Sequence, residues 1–259
     1  MLLKRLALLP CVLAVGFASN AQQTSTTVTQ DPQAITVLQQ SIKTMGSTLP
    51  SDSVATGSVQ TVAGSQTSQG TIRILTRGSA ESLVQMTMPD ATRTTIYANG
   101  QANELIGAAV TISPLELVVT SQAADFPIPL FVGLLNDPDT SFQYVGLESS
   151  NGASLHHIQT WDSYASQPGL QSLSSLSTRD IWIDANSGLP QRISYVSHPA
   201  QGAVVGTSID VFLSNYQNSS GVLYPSTIQK SLNGTPWASI TIQSVAFNTG
   251  LSDSSFPIQ

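Results

Sequence analysis

From Ser53 onward, run after run of this chain places an apolar side chain at every second position. Ile72 and Ile74 flank Arg73, and Val84, Met86 and Met88 alternate with Gln85 and Thr87. Ile181 and Ile183 flank Trp182; Ile209, Val211 and Leu213 alternate about Asp210; Ile240 and Ile242 alternate with Ser239 and Thr241. Successive side chains of a strand point to opposite faces, so each run predicts a strand with one apolar and one polar face. Asn99-Gly100, Asn151-Gly152 and Asn233-Gly234 separate such runs, with Asn186-Ser187-Gly188 and Ser220-Gly221 as looser versions. Asn-Gly is what a two-residue hairpin turn demands, since both central residues need positive φ. The chain reads as a large antiparallel meander whose apolar face must be covered.

Two segments are suited to cover it. Asp31 is a helix N-cap, Pro32 fits the first helical position and Gly46 the stop. Between them Ile35, Leu38, Ile42 and Met45 recur at helical spacing as one stripe, with Lys43 the single charge on the polar side. Pro127 to Leu135 (PIPLFVGLL) is apolar all round, which predicts a short helix or loop buried on more than one side. Ser113 to Phe126, with Pro114 near its start, reads as a second helix, and Gln159 to Ser177, rich in Ser and Gln, as a long loop. No internal repeat or second composition class breaks residues 31–259, which read as a single domain behind a polar, Thr-rich lead-in at 22–30.

Residues 1–21 have the form of a secretory signal. Lys4 and Arg5 precede an apolar run from Leu6 to Ala18, and Ser19 and Ala21 supply the small residues for cleavage after Ala21. The run is shorter than the about 20 residues a membrane-spanning helix needs. The only cysteine, Cys11, lies inside it behind Pro10, so the mature chain has neither disulfide nor thiol. Export without disulfides points to a bacterial periplasm or outer surface. Charged residues are 9% of the chain and its net charge is −6, while 41% hydrophobic content is enough to build a core. Nine scattered Lys and Arg cannot form the basic stripe that nucleic acid requires, which excludes that class.

The residue patterns of catalysis are not met. Gly152-Ala153-Ser154, Gly206-Thr207-Ser208 and Gly250-Leu251-Ser252 begin like the nucleophile elbow but lack its closing glycine. His156 and His157, adjacent in a predicted strand, point to opposite faces and cannot share a metal, and His198 is the only other histidine. Asp137-Pro138-Asp139 suits a capped turn better than a calcium loop. No glycine-rich phosphate loop occurs. We therefore expect a protein without catalytic residues, metal or cofactor.

Three C-terminal stretches resemble a known family. Trp182-Ile183-Asp184 followed by Gly188-Leu189-Pro190 and Ile193 is similar to the "W-I-D-x-x-x-G-L-P-x-x-I" hairpin of LolA-like proteins. Tyr216, Gly221-Val222, Pro225 and Ile228 resemble their "Y-x-x-x-x-G-V-x-x-P-x-x-I" strand pair. Val245, Asn248, Leu251, Asp253 and Phe256 resemble their "V-x-x-N-x-x-L-x-D-x-x-F" ending. The resemblance implies an incomplete antiparallel β-barrel of about eleven strands covered by helices, an α+β fold that is mainly β. It also implies a periplasmic or secreted binder of an acyl chain, a lipid or an envelope lipoprotein. A sheet covered incompletely by its helices would leave a greasy cavity, and we expect Ile35, Leu38, Ile42, Ile72, Ile74, Val84, Met86, Met88, Ile181 and Ile183 to line it. Methionine adapts to irregular ligands, which suits Met86 and Met88. The competing expectation is an envelope-associated structural domain whose own side chains fill its core.

Overall fold

The computed structural model describes residues 27–46, 50–78, 80–120, 126–150, 152–199 and 205–258. The predicted signal and its cleavage point lie outside them. Helix α1 (Pro32–Met45) leads into strands β1 (Asp52–Ala63), β2 (Gln66–Arg77), β3 (Glu81–Thr87), β4 (Thr92–Ala98), β5 (Gln101–Ile106) and β6 (Ala109–Ile112). Helices α2 (Leu115–Thr120) and α3 (Pro127–Asn136) follow, then β7 (Thr140–Ser150) and β8 (Ala153–Asp162). A 3-10 helix (Pro168–Leu176) precedes β9 (Arg179–Asp184), β10 (Pro190–Ser197), β11 (Thr207–Ser219), β12 (Val222–Leu232) and β13 (Thr235–Phe247). All thirteen strands form one antiparallel sheet in the order β6-β5-β4-β3-β2-β1-β13-β12-β11-β10-β9-β8-β7, open at both ends. That is an incomplete barrel with two more strands than the resemblance implied.

Turn chemistry sets the hairpins. Asn99-Gly100 and Asn233-Gly234 have φ of 55° and 70°, and 48° and 76°, the double left-handed geometry only such residues adopt cheaply. Ser220-Gly221, at 53° and 85°, makes the same tight turn rather than a looser one. Asp184 organises the β9–β10 connection by accepting from the Asn186 and Ser187 amides at 3.2 and 2.7 Å.

Helix α1 forms as its ends dictate. One Asp31 oxygen accepts from the Gln33 and Ala34 amides, and the other accepts from Tyr144 N–H on β7 at 2.9 Å, so one side chain caps the helix and fixes it to the sheet. Its buried face is Ala34, Val37, Leu38, Ser41 and Met45, with Ile35 and Ile42 half-buried beside it. The stripe is thus turned from the expected one, because small residues at 34 and 41 allow close approach to the sheet. Helix α3 buries Pro127, Ile128, Leu130, Phe131 and Leu134, in keeping with its apolar circumference. The second predicted helix is confined to α2 among the described residues.

Two expectations need correction. Gln159 to Asp162 continue β8, and residues 168–176 are a 3-10 helix, so the segment read as a loop is largely regular. Nor is one face of every strand polar: Leu75, Leu83, Ile96 and Ala98 form a second buried cluster on the outer face, closed by Phe256. The C-terminal tail supplies that cover. Asp52 accepts from the amides of Thr249, Gly250 and Leu251, Asn248 accepts from Ser51 N–H, and Arg77 pairs with Glu81 and with Asp253 at 2.5 Å.

Candidate functional site

The inner face divides into a filled half and an open half. Ile158, Ile181, Ile193 and Val211 face one another across β8 to β11 and are fully buried in the core that α1 and α3 complete. Toward β2–β5, beyond α1 and α3, the sheet curls around a cavity of about 210 Å³. Its floor is Ile72 and Ile74 of β2, 2% and 1% exposed, with Ile240 of β13 alongside. Val84 and Met86 of β3 lie opposite Ile74 and Ile72 in the ladder and extend the apolar wall. Leu117 of α2 and Phe126 complete it.

Following the ladder outward changes the chemistry. Val84 pairs with Thr95, and Thr95 with Glu104, so the same row passes from isoleucine to a carboxylate over four strands. On the facing wall, Tyr195 and Ser197 of β10 and Lys230 of β12 also line the space. Lys230 stands opposite Val211 and Ala238, which places this cation on the inner face. An apolar floor beneath a rim bearing one acid and one base is an amphipathic receptacle.

Of the ten residues expected to line a cavity, the structure brings Ile72, Ile74, Val84 and Met86 together around this one. Leu38, Ile181 and Ile183 are packed core, at most 1% exposed, and Met88 is buried against Gly70. Ile35 and Ile42 sit on the flank of α1, packed against the core. Sequence reasoning missed Thr95, Glu104, Tyr195, Ser197 and Lys230. Lys230 was within its reach, lying two residues beyond the inward Ile228 on the same strand.

His156 faces inward and meets the Tyr144 hydroxyl at 2.8 Å, whereas His157 faces outward between Glu148 and Asp180 at 2.6 and 2.8 Å. Ser154 and Ser208 lie within strands, and Ser252 caps a 3-10 turn, so none occupies a strand-to-helix elbow. Asp137 accepts from Asp139 N–H at 2.8 Å, the capped turn expected there. The Tyr216 hydroxyl donates to the Pro190 carbonyl at 2.6 Å, and burial pushes its phenol up. Among the described residues no group of three or more His, Cys, Asp or Glu could hold a metal, and no helix is long and apolar enough to cross a membrane.

An open antiparallel half-barrel with helices over its inner face defines the LolA-like class of folds, and comparison with solved structures shows that fold here. A LolA superfamily protein from Nitrosomonas europaea aligns with a TM-score of 0.58 at 14% identity, over 87% of this chain and 97% of its own. A putative outer membrane lipoprotein-sorting protein domain from Vibrio parahaemolyticus aligns at 0.56 and 11% identity, over 86% and 96%. A DUF1329 family protein from Desulfovibrio piger does so at 0.58 and 11%, over 88% and 98%. No protein-family model matches the sequence, and no curated protein does.

Proposed function

We propose that the protein is a non-catalytic binder of an acyl chain, either free or carried by a lipid or a lipid-modified protein, and that it works in the bacterial envelope after export. The observation that carries this reading is the cavity where α1 and α3 leave the inner face uncovered, with isoleucines at its floor and Glu104 and Lys230 at its rim. Its shape favours a molecule with an apolar end and a polar end. The fold supports the reading, since it is shared with a protein described as a lipoprotein-sorting domain. The leader at residues 1–21 supports export.

The affinity available is sufficient. Burying acyl methylenes gains about 0.8 kcal/mol each. Eight of them would contribute about 6 kcal/mol before ordering costs. A charge on the cavity wall should remove this gain. In Met86→Lys we expect binding of a fluorescent fatty acid to be lost, while Gln85→Lys, on the opposite face of β3, keeps it. Melting of both variants separates lost binding from lost folding, because an unpaired buried lysine destabilises by itself. Should delipidated wild-type protein bind no acyl probe, the reading fails, and the packed rows around Ile181 and Ile193 mark a self-filled structural domain instead.

A further inference from the structure

A second, larger cavity of about 490 Å³ lies on the other side of α2. Leu117 of that helix faces the first cavity, and Leu115, Val118 and Val119 face this one, so α2 is the wall between them. Leu130 and Leu134 of α3 continue the apolar surface. Arg179, at the start of β9, also lines the space and is only 2% exposed.

Arg179 is incompletely matched. One guanidinium nitrogen donates to the Val119 carbonyl at 3.1 Å, another stands 3.9 Å from an Asp162 oxygen, and Nε has no hydrogen-bond partner among the described residues. Beside it in the ladder, the hydroxyl of Thr160 is buried and equally without one. A buried guanidinium holds five donors in a planar fork suited to carboxylate or phosphate, and leaving them unmet is costly. The acids nearby differ in state. Asp139 is satisfied, accepting from the amide and hydroxyl of Ser166, whereas among the described residues Asp162 receives a single side-chain bond, from Thr140 at 3.1 Å. Asp137 lies at the same cavity, towards solvent.

Matching Arg179 without adding net charge selects the ligand. A simple anion on Arg179 would stand beside Asp162 and add to a lining that already carries three carboxylates, Asp137, Asp139 and Asp162, against one guanidinium. A simple cation on Asp162 would leave Arg179 no better matched than before. We propose that this cavity binds a zwitterionic group, its anion on Arg179 and its cation towards Asp162 and Asp137, with an attached apolar part along Leu115, Val118, Leu130 and Leu134. The site is separate from the acyl cavity and does not depend on that assignment.

The test is titration calorimetry of the full chain with monomeric dihexanoyl-phosphatidylethanolamine, its phosphatidylglycerol counterpart (anion only) and hexyltrimethylammonium (cation only). The zwitterion should bind about tenfold tighter or more than either single-charge probe. Asp162→Asn should remove the preference over phosphatidylglycerol, and Arg179→Lys, which keeps the charge but loses the fork, should weaken the zwitterion. Gln85→Lys, at a position that lines neither cavity, should leave all three affinities unchanged. O-phosphoethanolamine binding as tightly as the short-chain lipid would support the zwitterion site with a soluble source and overturn the apolar part of the assignment. Equal binding of the three probes, no binding of the zwitterion, or an unchanged preference in a folded Asp162→Asn protein would overturn the proposal.

Discussion

At the scale of single residues, carboxylates do the fastening. Burial pushes the Asp52 carboxyl up, but the Thr249 hydroxyl and three tail amides outweigh it, and the group lies below its ordinary value of 3.8. Asp31 is lowered chiefly by the Tyr144 amide, and Asp184 by the Ser187 amide. A carboxyl lowered on folding binds its proton first in the unfolded chain. Its contribution is therefore complete above the ordinary value and fades as pH falls below it. Urea midpoints of the wild-type protein should be level near neutrality and fall as pH drops through about 4. Asp52→Asn should cost about 1–3 kcal/mol at neutral pH and show a shallower fall. An equally steep fall in the variant would assign acid sensitivity elsewhere. The residues that carried the family resemblance have similar duties. Asn248 and Asp253 tie the tail, Leu251 and Phe256 close the outer cluster, and Tyr216 bonds Pro190.

At the scale of elements, α1 tests whether the sheet needs its cover. Leu38 is fully buried and Gln39 exposed. Leu38→Ala should destabilise by about 2–5 kcal/mol, and Gln39→Ala by no more than about 0.5, in denaturant titrations. Small and equal effects would mean the helix rests on the sheet without closing it. The elements were legible where local chemistry decides them: Asp31-Pro32 announced a helix, Asn99-Gly100 and Asn233-Gly234 announced hairpins, and alternation put Ile72, Ile74, Val84 and Met86 on one face. Legibility ended where a distant segment decides. Alternation sets Leu75 on the same face as Arg73, and nothing local shows that the distant tail covers it and Ile96. Gln159, Thr160 and Asp162 are polar yet pair with β7, and the first two with β9 as well, because neighbouring strands supply their hydrogen bonds. Likewise, whether an inward isoleucine is core, like Ile181, or cavity floor, like Ile72, depends on where α1 and α3 stop. No periodicity encodes that.

At the scale of the molecule, two meanders meet along one seam, where β1 pairs with β13. The register shifts there between Thr56 and Gly57, and a Cβ at Gly57 would stand 2.0 Å from the Thr241 carbonyl oxygen. Backbone cannot yield as a flexible side chain can. Gly57→Ala should lower stability by at least about 1–3 kcal/mol, the usual range for overpacking, whereas Gly64→Ala tests left-handed turn geometry alone, with no atom within 4 Å. If Gly57→Ala melts like wild type, the seam is looser than its geometry implies.

The strand order has a mechanical corollary. The chain leaves the sheet at one margin, β6, and re-enters at the other, β7, so a single link, carrying α2 and α3, ties the two ends of the arc as a chord does. Helix α2, on that chord, touches β5 near one margin and β10 well toward the other. An arc held by a chord cannot flatten further than the chord allows. The link therefore puts an upper limit on the span of the gap, and inserting residues into it would raise that limit without altering a single strand.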